Sequence, residues 1–352
     1  MIRNLYLRSI MYASVVVLAT VGCSANKDIK YVSAELQVIE VDSMPDIKIL
    51  SEVRVRNDQV YLTYESKGEY GQRHIKQYVY DNKFQSLSYD KELFKKDDGY
   101  YQLFVPSLFE DDKGYLYSFD RDMPSVYYVS ADGMAIPTRN NLITTMAKTP
   151  YTLVQEVRQA FFKSPDEFLF IGREPFGGEQ ALLLSRNYAD SIIVDEVCKI
   201  TYDKEFPSWM INFGKATYNQ QKQVLAFAYQ LYPTIHFFKL KDGKIFKSSL
   251  SQSQYLEIIT EGADIWEQNR VQYKDITSNE HHIYALYWGE KFGTANQARA
   301  NNVGTSQIIK YDWDGNLLSI YKVDKYLENI GVSSDDDYII CYDADKIYYL
   351  SL

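Results

Sequence analysis

Apolar and polar positions alternate in short runs along this chain, and the runs come in pairs. The last fifteen residues show the pattern most plainly. Tyr338–Asp343 and Lys346–Ser351 flank a short polar turn, which predicts a hairpin. Equivalent first strands are predicted at Val60–Tyr64, Tyr115–Phe119, Glu167–Gly172, Val224–Tyr229 and His282–Trp288. Their starts, at 60, 115, 167, 224, 282 and 338, are separated by 55, 52, 57, 58 and 56 residues. Partner strands follow at His74–Tyr80, Ser125–Ser130, Gln180–Ser185, Thr234–Lys239 and Ser306–Asp312. A tight-turn pair comes next in five of the units: Asp81-Asn82, Asp132-Gly133, Arg186-Asn187, Asp242-Gly243 and Asp314-Gly315. Asn and Gly tolerate the positive φ that two-residue turns require.

A β-type run precedes each hairpin and another follows the turn pair, so each unit holds four strands. Six four-stranded units at an even period predict an all-β, six-bladed β-propeller. WD40 blades are shorter and carry a Trp-Asp signature that does not recur from unit to unit here. Two stacked sandwiches would not keep one period across the chain. Only Asn141–Lys148 and Ser251–Glu267 have room for a short helix. The sixth unit ends at Leu352 without its fourth strand. Tyr31–Val41, where Val32, Ala34, Leu36 and Val38 alternate with polar residues, is expected to supply that strand and close the ring.

Composition adds class and address. The 352 residues carry 46% hydrophobic and 24% charged side chains, the balance of a folded globular chain. Thirty-two tyrosines suit half-buried strands. The net charge of −9 argues against nucleic acid as a partner. Arg3 and Arg8 precede an apolar run, Ile10–Val21, of signal-peptide length. Its end, Val21-Gly22-Cys23, resembles the lipobox of bacterial lipoproteins, with Thr20 where Leu is usual. That resemblance implies a signal peptide over residues 1–23, lipidation of Cys23, a tether over 24–30 and a propeller over 31–352. It places the protein in the cell envelope, anchored to the outer membrane through lipid alone. Of the remaining cysteines, Cys198 and Cys341 fall in apolar strands on opposite sides of the ring, so both are expected buried and unpaired.

The motifs Gly114–Phe119, Lys241–Lys244, Asp275–Gly289 and Lys310–Lys322 give the chain a further likeness. It resembles the TolB-like six-bladed propeller lipoproteins of Bacteroidota-type bacteria over residues 30–352. These are blade-forming motifs, so the likeness implies a fold and carries no catalytic residue with it.

Catalytic signatures are missing: no Gly-x-Ser-x-Gly, His-Glu-x-x-His, P-loop or Cys-x-x-Cys occurs. His281 and His282 point to opposite strand faces and cannot share a metal. Asp312–Asn316 places its Gly too early for an EF-hand and reads as a hairpin turn. Asp335–Asp337 reads as a solvated turn. The loops between second and third strands are where a ligand is expected. Gly289–Thr305 is the longest and stretches the tip-to-tip spacing to 314 − 242 = 72, against 132 − 81 = 51 for the first pair. As a candidate lid, it directs attention to Arg73, Arg121, Asp122, Arg173, Glu174, Tyr232, Trp288, Lys291 and Arg299. The arginines suit carboxylate, sulfate or phosphate, and the two aromatics suit a sugar or peptide side chain. Trp209, Trp266 and Trp313 are expected in blade packing. The reading is a monomeric, non-catalytic module for an envelope protein, peptide or glycan, with no cofactor. Its alternative is a propeller hydrolase or lyase holding a divalent cation in the central channel.

Overall fold

The computed structural model describes residues 29–352 apart from 84, 97–98, 112, 121–124, 142–156, 174–178, 189–190, 203–210, 251–257, 260–264 and 302. Six antiparallel sheets form a ring, each a meander whose strands run A to D from the centre outward. Blade 1 uses Ile47–Arg56, Gln59–Ser66, Arg73–Asp81 and Ser86–Glu92. Blade 2 uses Pro106–Glu110, Leu116–Asp120, Ser125–Val129 and Ala135–Asn141. Blade 3 uses Gln159–Ser164, Glu167–Arg173, Gln180–Tyr188 and Ser191–Lys199. Blade 4 uses Gly214–Asn219, Val224–Tyr229, Thr234–Lys239 and Lys244–Leu250. Blade 5 uses Arg270–Ser278, His282–Lys291, Ser306–Asp312 and Leu317–Val323. Blade 6 uses Asn329–Val332, Tyr338–Tyr342 and Ile347–Ser351 from this end of the chain. The hairpins expected from sequence are therefore the B and C strands. A meander alternates ends, so A–B and C–D turns share one face, the turn face. The B–C loops and blade-to-blade connections share the other, the loop face.

The turn chemistry holds at three C–D turns, where Gly133, Gly243 and Gly315 take positive φ. Arg186-Asn187 is a correction. Both residues lie inside the C strand of blade 3, paired with Ile193 and Ile192.

Gln37–Val38 supplies the fourth strand of blade 6 and closes the ring as expected, but the rest of the run takes other partners. Tyr31–Val41 is not one strand of blade 6. Lys30–Ser33 adds parallel to the D strand of blade 5, with Tyr31 opposite Ile320. Gln37–Val38 pairs antiparallel with the C strand of blade 6, opposite Tyr349 and Tyr348. Glu40–Val41 adds parallel to the D strand of blade 1, opposite Ser86 and Leu87. Backbone bonds from Ala34 to Lys322, Ile39 to Ile347 and Asp42 to Leu87 mark the three sites. The segment is a strap across three outer edges, and it blunts each edge. Burial explains the change. Val32, Ala34 and Leu36 pack between blades 5 and 6, but the alternation slips at Val38, which is 56% exposed while Ile39 is 4% exposed. One continuous strand would have buried Val38.

Apolar clusters fill the interfaces between neighbouring blades. Trp313 sits in one of them, fully buried, and its Nε1–H donates to the Asn279 carbonyl at 3.1 Å. Trp209 and Trp266 lie outside the described side chains. Cys198 and Cys341 are both free; Cys341 is buried, while Cys198 is only half-buried, because it stands on an outermost strand. The candidate segment Asn141–Lys148 lies almost wholly outside the described residues. Within Ser251–Glu267 the described part shows one short helix, Ile265–Gln268.

Polar side chains link neighbouring blades along the inner A strands. Arg56 Nε reaches Glu110 at 3.1 Å from blade 1 to blade 2. The Ser107 hydroxyl accepts the Ala160 N–H at 3.0 Å from blade 3. Gln159 accepts the Ala216 N–H at 2.8 Å from blade 4. Lys215 Nζ meets Asp275 at 2.7 Å from blade 4 to blade 5. Asp275 accepts the Ile330 N–H at 3.0 Å from blade 6, and Asn329 donates to the Ser51 carbonyl at 3.1 Å in blade 1. Each link satisfies a group that burial would otherwise strand. Blades 6 and 1 approach so closely that a Cβ on Gly331 would meet the Val53 carbonyl oxygen at 2.7 Å.

Candidate binding channel

The inner strands enclose a channel of about 710 Å3, lined by residues of all six blades. That volume is in the range of small-molecule sites. Its wall reaches the A–B turns at Arg56, Asp111, Gln221, Glu280 and Ser334, so the cavity runs to the turn face. The wall is charged because strands place alternate residues on one face, and Glu52, Arg54 and Arg56 stand at i, i+2 and i+4.

The charges are paired. Arg54 donates to Glu52 through Nε at 3.1 Å and Nη2 at 2.9 Å. Burial alone would lower the Arg54 pKa, but Glu52 and Glu110 outweigh it and raise it. Arg54 keeps 30% side-chain exposure because it faces the channel. Glu110 is pushed up by burial, against the pull of Arg54 and Arg56. Lys215 holds Asp275 and also donates to the Ser51 carbonyl at 3.2 Å. Arg158 lies over the Phe213 ring at 5.0 Å. Thr217 and Ser278 join their hydroxyls at 2.5 Å lower in the channel.

A channel cation needs several free acidic ligands. Here Glu52, Glu110 and Asp275 are each bound to a basic side chain. Among the described residues no group of three His, Cys, Asp or Glu is arranged for a metal.

The sequence-derived residues lie elsewhere. Among the described ones, none lines the channel. Arg73 ends the B–C loop of blade 1 and pairs with Glu65 at 3.3 Å, which Lys48 also holds at 2.6 Å. Arg121, Asp122, Glu174 and the Arg173 side chain lie outside the described residues, as does Cys23. Tyr232 is buried against Tyr202, ring centroids 4.1 Å apart, and cannot stack on a ligand. Trp288 is buried too, its Nε1–H donating to the Leu327 carbonyl at 2.7 Å. Lys291 is exposed at the end of its strand.

Gly289–Thr305 is not an open loop. Gly289–Lys291 extend the B strand, and Phe292–Ala300 form a helix that buries Ala295. Arg299 on this helix pairs with Glu328, which also holds Lys274 at 2.6 Å. Lys274 lies 4.8 Å from the Trp288 ring, and burial draws its pKa down to about 8. The insertion is pinned to the loop face by a salt-bridged cluster.

Histidine chemistry is structural. His74 bridges Glu92 at 2.8 Å and Glu69 at 2.5 Å, and the Glu92 bond leads in raising its pKa. His282 contacts Asp336 at 2.9 Å. His236 is buried beside the Tyr229 hydroxyl at 3.0 Å, and burial lowers its pKa to about 4. A lowered histidine pKa means the unfolded chain binds the proton first. Its stability contribution is whole above pH 6.5 and is lost as pH falls toward 4. Relative to His236→Phe, the wild type should lose about 3 kcal/mol between pH 7 and pH 4. Urea unfolding across that range measures it, and parallel pH curves for the two proteins would refute the assignment.

A ring of six four-stranded blades with a polar inner wall defines a β-propeller, and this chain is a six-bladed one. Residues 208–335 match the model described as TolB-like 6-blade propeller-like. Among solved structures, a member of the DUF4221 family from Bacteroides vulgatus superposes with TM-score 0.58 at 12% identity, over 91% of this chain and 98% of that one. A gluconolactonase from Xanthomonas campestris reaches TM-score 0.48 at 9% identity, over 91% and 97%. At these identities the likeness concerns the fold. No curated protein matches the chain.

Proposed function

We propose that this protein is a lipid-anchored, non-catalytic binding propeller of the cell envelope, and that its channel takes a small, neutral, hydroxyl-rich ligand of the sugar class. One observation carries the ligand class: the channel's ion pairs are already made. An anionic ligand bound at Arg54, Arg56 or Lys215 would have to pull that side chain from its carboxylate and strand a half-buried charge. A hydroxyl both donates and accepts, so it can bridge an arginine and a glutamate without breaking the pair. Phe161, Phe162 and Phe213 add apolar wall against which a sugar ring can lie. Arg3, Arg8, the Ile10–Val21 run and Cys23 support the anchor.

Thermal shift with millimolar galactose, N-acetylglucosamine and short neutral oligosaccharides, beside glucuronate, tests the ligand class. A neutral saccharide at a hundred times its Kd should stabilise by about 2.7 kcal/mol, several degrees in Tm, and Glu110→Gln should abolish the shift. Stabilisation by glucuronate alone would refute it.

A further inference from the structure

The strap fixes where the chain enters the propeller. Lys30–Ser33 runs parallel to the D strand of blade 5, with Lys30 opposite Ser319, just past the Asp314-Gly315 turn. Ile29 packs into the blade 4–5 cluster with Phe246, Leu317 and Trp313. Trp313 in turn bonds Asn279 in an A–B turn. Entry is therefore at the rim of the turn face. Five residues, Ser24–Asp28, separate Ile29 from Cys23, and six extended steps span at most about 21 Å. A second feature marks the same rim. The strap covers the outer edges of blades 5, 6 and 1 only. On blades 2, 3 and 4 the D strands leave their C–D turns with exposed isoleucines, Ile136 at 49%, Ile193 at 45% and Ile245 at 44%.

We infer that the turn face, with the channel mouth, is held against the lipid surface and that the loop face with helix Phe292–Ala300 points away from it. This rests on the lipid anchor proposed above. The bare isoleucines supply apolar contact at the headgroup level. Acidic turn residues such as Asp132, Asp242 and Asp314 make zwitterionic lipid the better surface than anionic lipid. The channel mouth then opens toward the membrane, within tether length of the headgroups.

The test uses the lipidated full-length protein in phosphatidylcholine vesicles carrying a headgroup nitroxide. In a Cys198→Ser background, a bimane is placed at Asp242→Cys on the turn face or at Tyr70→Cys, the 95% exposed tip of a loop-face loop. Position 242 should be quenched at least twofold more than position 70. Equal quenching, or stronger quenching at 70, overturns the orientation while leaving the anchor intact. Flotation with the vesicles, lost in Cys23→Ala, reports the anchor separately. A wild-type protein that does not float removes the anchor, and this inference with it.

Discussion

Removing residues 29–41 should abolish cooperative folding of the propeller. The strap contributes to three interfaces at once: Ile29 between blades 4 and 5, Val32, Ala34 and Leu36 between blades 5 and 6, and Ile39 and Val41 between blades 6 and 1. A fully buried aliphatic side chain contributes roughly 1.5–3 kcal/mol; Ile39 is fully buried and the other five are partly buried, so this set contributes roughly 5–10 kcal/mol. A whole domain has about 5–15 kcal/mol of stability. The deletion also exposes three strand edges to pairing with other chains. The expected result is aggregation, or a melting transition that is broad and at least 10 °C lower. A narrower variant, Ile39→Asp, should lower stability by more than 3 kcal/mol, because it puts a charge at a closed interface. Val38→Asp, one residue away and exposed, should cost less than 0.5 kcal/mol. Equal effects of the two substitutions would contradict the observed register.

The second large effect is expected at Asp275. Its carboxylate joins three blades by accepting from Lys215 of blade 4 and from the Ile330 N–H and Asn329 side chain of blade 6. Asp275→Ala would strand a buried backbone N–H and leave Lys215 without its counter-charge. Breaking a buried pair costs about 3–5 kcal/mol, and Lys215 is 31% exposed toward the channel, so the lower end applies, about 3 kcal/mol. Asp275→Asn keeps one acceptor and should cost less. Urea midpoints measure both, with the Lys215→Met double mutant completing the cycle. A cost under 0.5 kcal/mol for Asp275→Ala would mean the inner polar ring does not hold the blades.

Local pattern revealed the hairpins well, for a physical reason. Val224–Tyr229 and Thr234–Lys239 are each consistent with a strand by composition, and their turn is short, so neighbours in sequence are neighbours in the sheet. The strap was legible as β structure and as the closing strand of blade 6, but not in its other partners. Its pairings with blades 5 and 1 are parallel and distant in sequence, and nothing in an alternating run says where it will be cut. The slip from Val38 to Ile39 is visible only once the three interfaces exist.

Site residues were harder to find because exposure decides them. Trp288 and Tyr232 have the chemistry of ligand platforms but serve as packing. Arg73 and Arg299 have the chemistry of anion forks but are committed to Glu65 and Glu328. The insertion carried an available helix signal, three alanines with Gln297 and Arg299 between Ala295 and Ala300. The channel charges also had a signal, the period-two spacing of Glu52, Arg54 and Arg56 in the run before the first hairpin. Identifying that run as an innermost strand requires the blade order, which becomes clear once the hairpins are known to be B and C strands.

The central functional claim is that the inner channel, and not the loop face, receives a neutral saccharide. A crystal structure of the protein with the saccharide that gives the largest thermal shift tests this most directly. The account predicts ligand density in the channel, with hydroxyls within hydrogen-bond distance of Arg54, Arg56 and Glu110 and the Arg56–Glu110 pair still made. Density on the loop face beside helix Phe292–Ala300, with the channel holding only water, would contradict it.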